Sequence, residues 1–174
     1  MSSKEKWIRG AAIVLVATPA LAWAHVGSGE GAATDFWTGA GHPLSGLDHL
    51  LTMVAAGVWA AQSGGRSVWA VPVAFVTLML AGGAAGLAGL SLPYVEQGIV
   101  ASLLVLGLLI ASACRMSVLA GMAIAGFFAI FHGYAYGAEM PLASGTLAYS
   151  TGFALATALL HGLGIGGAIS SASG

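Results

Sequence analysis

Residues 42–57 read HPLSGLDHLLTMVAAG and decide how the whole chain is interpreted. A carboxylate, Asp48, and two imidazoles, His42 and His49, lead directly into an apolar run. Ionisable groups are costly inside a membrane, and where they occur there they mark functional sites. We therefore expect the rest of the chain to form a bundle of helices around these side chains.

The composition of the chain favours a lipid environment. Of its 174 residues 58% are hydrophobic and only 6% are charged, whereas soluble domains carry about 25% charged residues. Because so few charged residues could not cover the surface of the protein in water, we expect the protein to lie in the lipid bilayer. The formal net charge of −1 gives no indication of a nucleic-acid partner. A single cysteine, Cys114, excludes a disulfide or a cysteine metal site within one chain.

The N-terminal residues have the pattern of a secretory signal peptide. Three cationic side chains precede an apolar run, and a small-x-small cleavage site ends at Ala24. We predict a signal peptide over residues 1–24, cleaved before His25; the alternative is an uncleaved first helix. Residues 25–41 are then a polar periplasmic segment, and residues 42–174 form the transmembrane helical domain.

The remainder of the chain predicts an all-α, multi-pass transmembrane helical bundle with about five spans after the signal peptide. The apolar stretches lie at residues 42–62, 68–90, 97–114, 116–137 and 142–169. Pairs of glycines four residues apart allow close packing of helices in lipid, and they occur at Gly82/Gly86, Gly133/Gly137 and Gly162/Gly166.

The arginines outside the signal peptide indicate the orientation. If residue 25 lies outside, alternating spans place the loops of Arg66 and Arg115 in the cytoplasm, as the positive-inside rule expects. We therefore predict a protein of the bacterial inner membrane whose N-terminus is periplasmic after cleavage.

The candidate functional side chains form two pairs with the same spacing. His42 and His49 are seven residues apart, as are His132 and Glu139. At about 100° per residue, seven residues make almost two turns, so each pair shares one face if a single helix contains both members. In the predicted orientation both pairs lie toward the periplasmic side. His161 lies deeper, in the fifth apolar stretch, and His25 lies in the polar N-terminal segment.

Imidazoles and carboxylates without thiolates suit divalent ions such as Ni²⁺, Co²⁺, Zn²⁺ and Cu²⁺. Asp48 could bind such an ion directly or could fix the tautomer of a neighbouring histidine. For His161 alone, a hydrogen-bonded core histidine is the simpler interpretation. For His25 the simpler interpretation is a residue of a flexible tail.

Two motifs in this chain are similar to those of the HupE/UreJ family of bacterial membrane proteins. They are His-x5-Asp-His, which begins at His42, and Phe-His-Gly-x-Ala-x-Gly-x-Glu, which ends at Glu139. Members are associated with hydrogenase and urease gene clusters and are regarded as nickel permeases. The resemblance implies a metal-path role for His42, Asp48, His49, His132 and Glu139.

The chain departs from this family pattern at two places. Tyr136 stands where the pattern usually has a second histidine, and a neutral phenol is a poor ligand at neutral pH. We expect its hydroxyl to bond to Glu139 or to a metal-bound water instead. Family members also usually continue into another apolar helix, and a homo-oligomer could supply that surface.

The sequence and the resemblance together predict a transporter, not an enzyme, that moves a divalent metal ion, Ni²⁺ first among the candidates. Uptake would run from periplasm to cytoplasm and would serve hydrogenase or urease maturation proteins. Three alternatives remain open at this stage: a membrane-embedded metalloenzyme of the zinc hydrolase type, a haem-binding electron carrier, and a metal-binding accessory protein that does not transport.

Overall fold

The computed structural model describes residues 35–140 and 145–173. The predicted signal peptide and His25 lie outside the described residues. Within them the chain is helical and contains no strand, which confirms the all-α prediction. The helices are α1 (Asp35–Ser45), α2 (Leu47–Ser63), α3 (Ser67–Leu87), α4 (Val95–Ala111), α5 (Val118–Glu139) and α6 (Thr146–Ser173).

The first apolar stretch contains two helices rather than one. Helix α1 begins at Asp35, before the expected start near His42, and it meets α2 at an angle of 83°. Gly46 lies at the corner with an extended backbone (φ −114°, ψ 127°), and the Ser45 hydroxyl donates to the His42 carbonyl at 2.7 Å, which satisfies one carbonyl at the end of α1. His42 and His49 therefore lie on different helices, so the condition under which their spacing would place them on one helix face is not met.

Several of these helices match the thickness of a membrane. Helices α3, α5 and α6 contain 21, 22 and 28 residues and are apolar enough to cross a bilayer, whose core needs about 20 helical residues. The bent pair of α1 and α2 qualifies as a fourth span when it is counted as one element. Helix α4 is apolar and shorter, with 17 residues.

Glycines bring three pairs of helices into backbone contact. The most extensive interface joins α3 to α5. There a Cβ on Gly82, Gly86, Gly133 or Gly137 would collide with the backbone of the facing helix, which confirms the predicted close packing for these two pairs. For Gly162/Gly166 the predicted close packing is not seen among the described residues, where a Cβ on either would meet nothing within 4 Å.

Helix α6 instead uses other glycines to approach its neighbours. Gly164 lies against the backbone of α2 at Val54, and Gly57 of α2 lies against the carbonyl of His161. Gly152 packs in the same way against the backbone of α1 at Phe36. Helix α6 therefore holds both halves of the bent pair.

The centre of the bundle is filled by large side chains, and its periphery is also apolar. Trp59, Phe75 and Phe153 are fully buried. Leu119, Leu147 and Leu159 point outward with 71% or more of their surface exposed. An apolar periphery of this kind is suited to lipid, so the prediction of contact with the bilayer is confirmed.

Candidate metal site

Three histidines from three helices converge inside the bundle. The ring of His42 on α1 lies 5.7 Å from that of His49 on α2, measured between centroids, and the ring of His49 lies 4.6 Å from that of His132 on α5. His132 is fully buried. The sequence predicted this set of histidines. The bend at Gly46, rather than their spacing along a single helix, brings His42 and His49 together.

Asp48 is directed toward its neighbour in sequence. Its Oδ1 accepts a hydrogen bond from the backbone N–H of His49 at 2.9 Å and lies 3.3 Å from Nδ1 of the same residue. Gly46 leaves room for this carboxylate, since a Cβ there would lie 2.7 Å from Oδ1. Because a carboxylate can only accept, Nδ1 of His49 donates, and its Nε2 is left with a free lone pair. That Nε2 atom is buried and has no hydrogen-bond partner among the described residues.

His132 contacts the hydroxyl group of Ser102, which in turn contacts the hydroxyl group of Thr52; neither residue was predicted from the sequence. Nε2 of His132 lies 2.8 Å from Oγ of Ser102 on α4, and that oxygen lies 3.1 Å from Oγ1 of Thr52 on α2. Ser102 and Thr52 are both fully buried. The other nitrogen of His132, Nδ1, is buried without a partner among the described residues. The feature of the sequence that could have pointed to Ser102 and Thr52 is that both are hydroxyl side chains within apolar helices.

Aromatic rings form one wall of the site around His42. The hydroxyl of Tyr149 lies 3.3 Å from Nδ1 of His42, and the ring of Phe153 lies 5.4 Å from the imidazole. Tyr136 stacks on Phe153 at 4.2 Å between centroids. The Tyr136 hydroxyl pairs with Oγ of Ser150, so its expected bond to Glu139 is not formed in the described structure.

The remaining candidates lie at the two ends of this group. Glu139 is the last residue of α5 and is exposed. His161 on α6 is buried, and neither of its ring nitrogens has a partner among the described residues. Phe75 separates it from the other histidines, with its ring 4.9 Å from His161 and 6.0 Å from His132.

The described side chains do not form a preformed, multidentate metal site. No group of three or more histidine, cysteine, aspartate or glutamate residues in residues 35–140 and 145–173 is arranged to hold one ion. What the arrangement offers is a pair of bare imidazole nitrogens on adjacent rings, on His49 and His132, with His42 on one side and His161 beyond Phe75 on the other.

The fold and the site define a multi-pass helical membrane protein whose buried interior is lined by histidines. The family model described as HupE / UreJ protein matches residues 12–173. The chain is also 44% identical to Protein HupE of Rhizobium leguminosarum bv. viciae over 154 residues, which are 88% of this chain and 79% of that protein. The chain therefore belongs to the HupE/UreJ family, as its two motifs predicted. No solved structure matches it.

Membership of this family supports a general role in metal transport, with a divalent metal as the substrate class. It also agrees with a function that is not enzymatic.

Proposed function

We propose that this protein transports Ni²⁺ across the bacterial inner membrane, from periplasm to cytoplasm, and supplies it for hydrogenase or urease maturation. The observation that carries the proposal is the pair of unpartnered nitrogens, Nε2 of His49 and Nδ1 of His132, on rings 4.6 Å apart. Family membership supports the same class of function.

Two buried nitrogens without partners require a physical reason. A buried polar atom that lacks a hydrogen bond costs about 1–3 kcal/mol, and native structures contain few such atoms. A divalent metal ion that binds imidazole would give such a nitrogen a partner. Ni²⁺ fits this donor set, and so do Co²⁺, Zn²⁺ and Cu²⁺; the choice of Ni²⁺ rests on the family.

The order of the histidines gives the proposed path. His42, on the short helix that precedes the corner, receives the ion; the pair of His49 and His132 holds it after partial dehydration; and His161 accepts it beyond Phe75. Asp48 orients His49 through its hydrogen bond. The carboxylate of Glu139, exposed at the end of α5, attracts cations at the periplasmic entrance, and His25 raises their local concentration.

A site with few ligands suits passage better than storage. An ion held by two imidazoles and residual water is released more easily than one held by four protein ligands. The membrane potential provides about 2.3 kcal/mol per charge for each 100 mV, and therefore about twice that amount for a divalent cation. In this proposal the weak site lets the ion leave, and the membrane potential drives it inward.

An accessory protein that binds metal without transport is the second candidate, since the described residues already offer two bare nitrogens. A zinc hydrolase is less well supported, because its site uses three protein ligands and one open position, which is one ligand more than this pair of nitrogens.

Uptake of radiolabelled Ni²⁺ by liposomes that contain the purified protein tests the proposal. The wild type should accumulate Ni²⁺ when the interior is negative, whereas His49→Ala and Asp48→Ala should abolish uptake. His25→Ala, a change in the polar N-terminal segment of the sequence, serves as the control and should only weaken uptake. Ni²⁺ binding without accumulation would identify the accessory protein, and wild-type uptake by a well-folded His49→Ala protein would remove His49 from the path.

A further inference from the structure

We infer that Ser102 on α4 is a positioning residue that fixes the tautomer of His132 and so presents Nδ1 of that ring to the transported ion. The functional half of this inference rests on the proposed transport function. The structural half, the tautomer of His132, rests only on the hydrogen bonds around Ser102.

The hydroxyl group of Ser102 has a single proton, and its destination is fixed. Oγ lies 2.6 Å from the carbonyl oxygen of Ile99, one turn earlier in α4. A carbonyl oxygen only accepts hydrogen bonds, so Ser102 must donate its proton there. Both lone pairs of Oγ remain, and two further polar atoms approach them, Nε2 of His132 at 2.8 Å and Oγ1 of Thr52 at 3.1 Å.

This arrangement determines which nitrogen of His132 carries the proton. Because Ser102 has no second proton to give, Nε2 of His132 must donate, and the hydroxyl of Thr52 must donate as well. A neutral His132 with its proton on Nε2 has its free lone pair on Nδ1. Nδ1 is the nitrogen that is buried without a partner among the described residues.

The tautomers of His49 and His132 are thus each fixed by a hydrogen-bond acceptor, a carboxylate in one case and a hydroxyl group in the other. Asp48 accepts from Nδ1 of His49 and leaves Nε2 bare; Ser102 accepts from Nε2 of His132 and leaves Nδ1 bare. Partners of this kind set the tautomer and the ring orientation of metal-binding histidines, and their loss typically lowers metal affinity by about 10–100-fold. Ser102 comes from a helix that carries none of the predicted ligands, so the contribution of α4 to the site is this acceptor.

Nitrogen NMR of the metal-free protein tests the tautomer without any transport assay. With ¹⁵N-labelled histidine, and with the His132 signals assigned by their loss in His132→Gln, the wild type should show a protonated Nε2 and an unprotonated Nδ1. In Ser102→Ala the Nε2 proton should lose its hydrogen-bonded downfield shift, and a second population protonated at Nδ1 should appear. Thr52→Val, which keeps the acceptor for His132, should retain the wild-type tautomer.

A matched serine controls for the general effect of removing a hydroxyl that bonds to the backbone of α4. Ser112 follows the same helix and donates to the carbonyl of Leu108 at 2.7 Å, but it is exposed at the helix end. Ser102→Ala should weaken Ni²⁺ binding by about 10-fold, in the range seen for such partners, and Ser112→Ala should leave it unchanged.

The inference is overturned if His132 of the wild type is protonated at Nδ1, or if the histidine spectrum of Ser102→Ala is the same as that of the wild type. The wild-type spectrum alone decides if Ser102→Ala does not fold. The two proposals fail separately, because absence of Ni²⁺ uptake by wild-type liposomes overturns transport, whereas the tautomer is measured without metal.

Discussion

Replacement of Gly133 by alanine should loosen the bundle next to its site. Gly133 of α5 lies against the backbone of Met79 on α3, and it follows His132 directly in the chain. A Cβ at this position would lie 2.6 Å from the carbonyl carbon of Met79 and 2.9 Å from its Cα, whereas ordinary contacts of this kind begin at 3.4 Å. Both sides of the contact are main chain, so no side chain can rotate away, and the helices themselves must separate.

The size of the effect follows from two opposing contributions. Overpacking of a close interface costs typically about 1–3 kcal/mol, while alanine is favoured over glycine in a helix by about 1 kcal/mol. Separation of α3 from α5 also weakens the neighbouring contacts of Gly82, Gly86 and Gly137. The difference between the first two contributions is about 0–2 kcal/mol, and the weakened contacts add to it, so we expect Gly133→Ala to lower the free energy of unfolding by about 1–2 kcal/mol. Ni²⁺ uptake should fall as well, because His132 moves with its helix.

Gly166 provides the matched control, since it is also a helical glycine but a Cβ there meets none of the described residues within 4 Å. Gly166→Ala should keep or slightly raise the stability of the protein. Reversible unfolding of both variants in the same detergent micelles, followed by circular dichroism, compares the two changes directly. Equal stability of Gly133→Ala and Gly166→Ala would refute the argument that backbone contact at this interface determines the packing of α3 against α5.

Two further predictions concern the departure from the family motif and the orientation of the chain. In calorimetric titration, Tyr136→His should bind Ni²⁺ more tightly than the wild type, and Tyr136→Phe should change the affinity much less than His132→Ala does. If Tyr136→Phe loses as much affinity as His132→Ala, the phenol is essential. In a variant without Cys114, single cysteines near Glu139 should react with an impermeant thiol reagent from the periplasm, and cysteines near Arg66 should not; the reverse pattern would refute the proposed orientation.

The sequence predicted the helical class and singled out the histidines that meet inside the bundle, because both predictions depend on residue type. Charges are so rare in this chain that His49, His132 and Asp48 stand out in apolar surroundings, and the two motifs pair them. The structure confirms the helical class and places His42, His49 and His132 together. Their role in metal transport stays a prediction.

The sequence could not reveal features that depend on which faces of the helices meet. Glycine spacing is the same at Gly133/Gly137 and at Gly162/Gly166, yet within residues 35–140 and 145–173 only the first pair lies at a helix interface. The role of Ser102 could not be predicted either. A serine within an apolar helix commonly bonds to the backbone of its own helix, and the second partner of Ser102, His132, comes from a different helix.

Because the chain turns a corner at Gly46, the distance between the rings of His42 and His49 depends on the angle between α1 and α2. In a straight helix, seven residues would separate His42 from His49 by about 10.5 Å along the axis, whereas the 83° bend brings their rings to 5.7 Å. Any species that binds both rings at once must resist straightening of the corner. By thermodynamic linkage, whatever straightens the corner must in turn weaken the hold on that species. The geometry of the first two helices and the occupancy of the two rings are therefore coupled quantities, and a distance probe across the corner would report both.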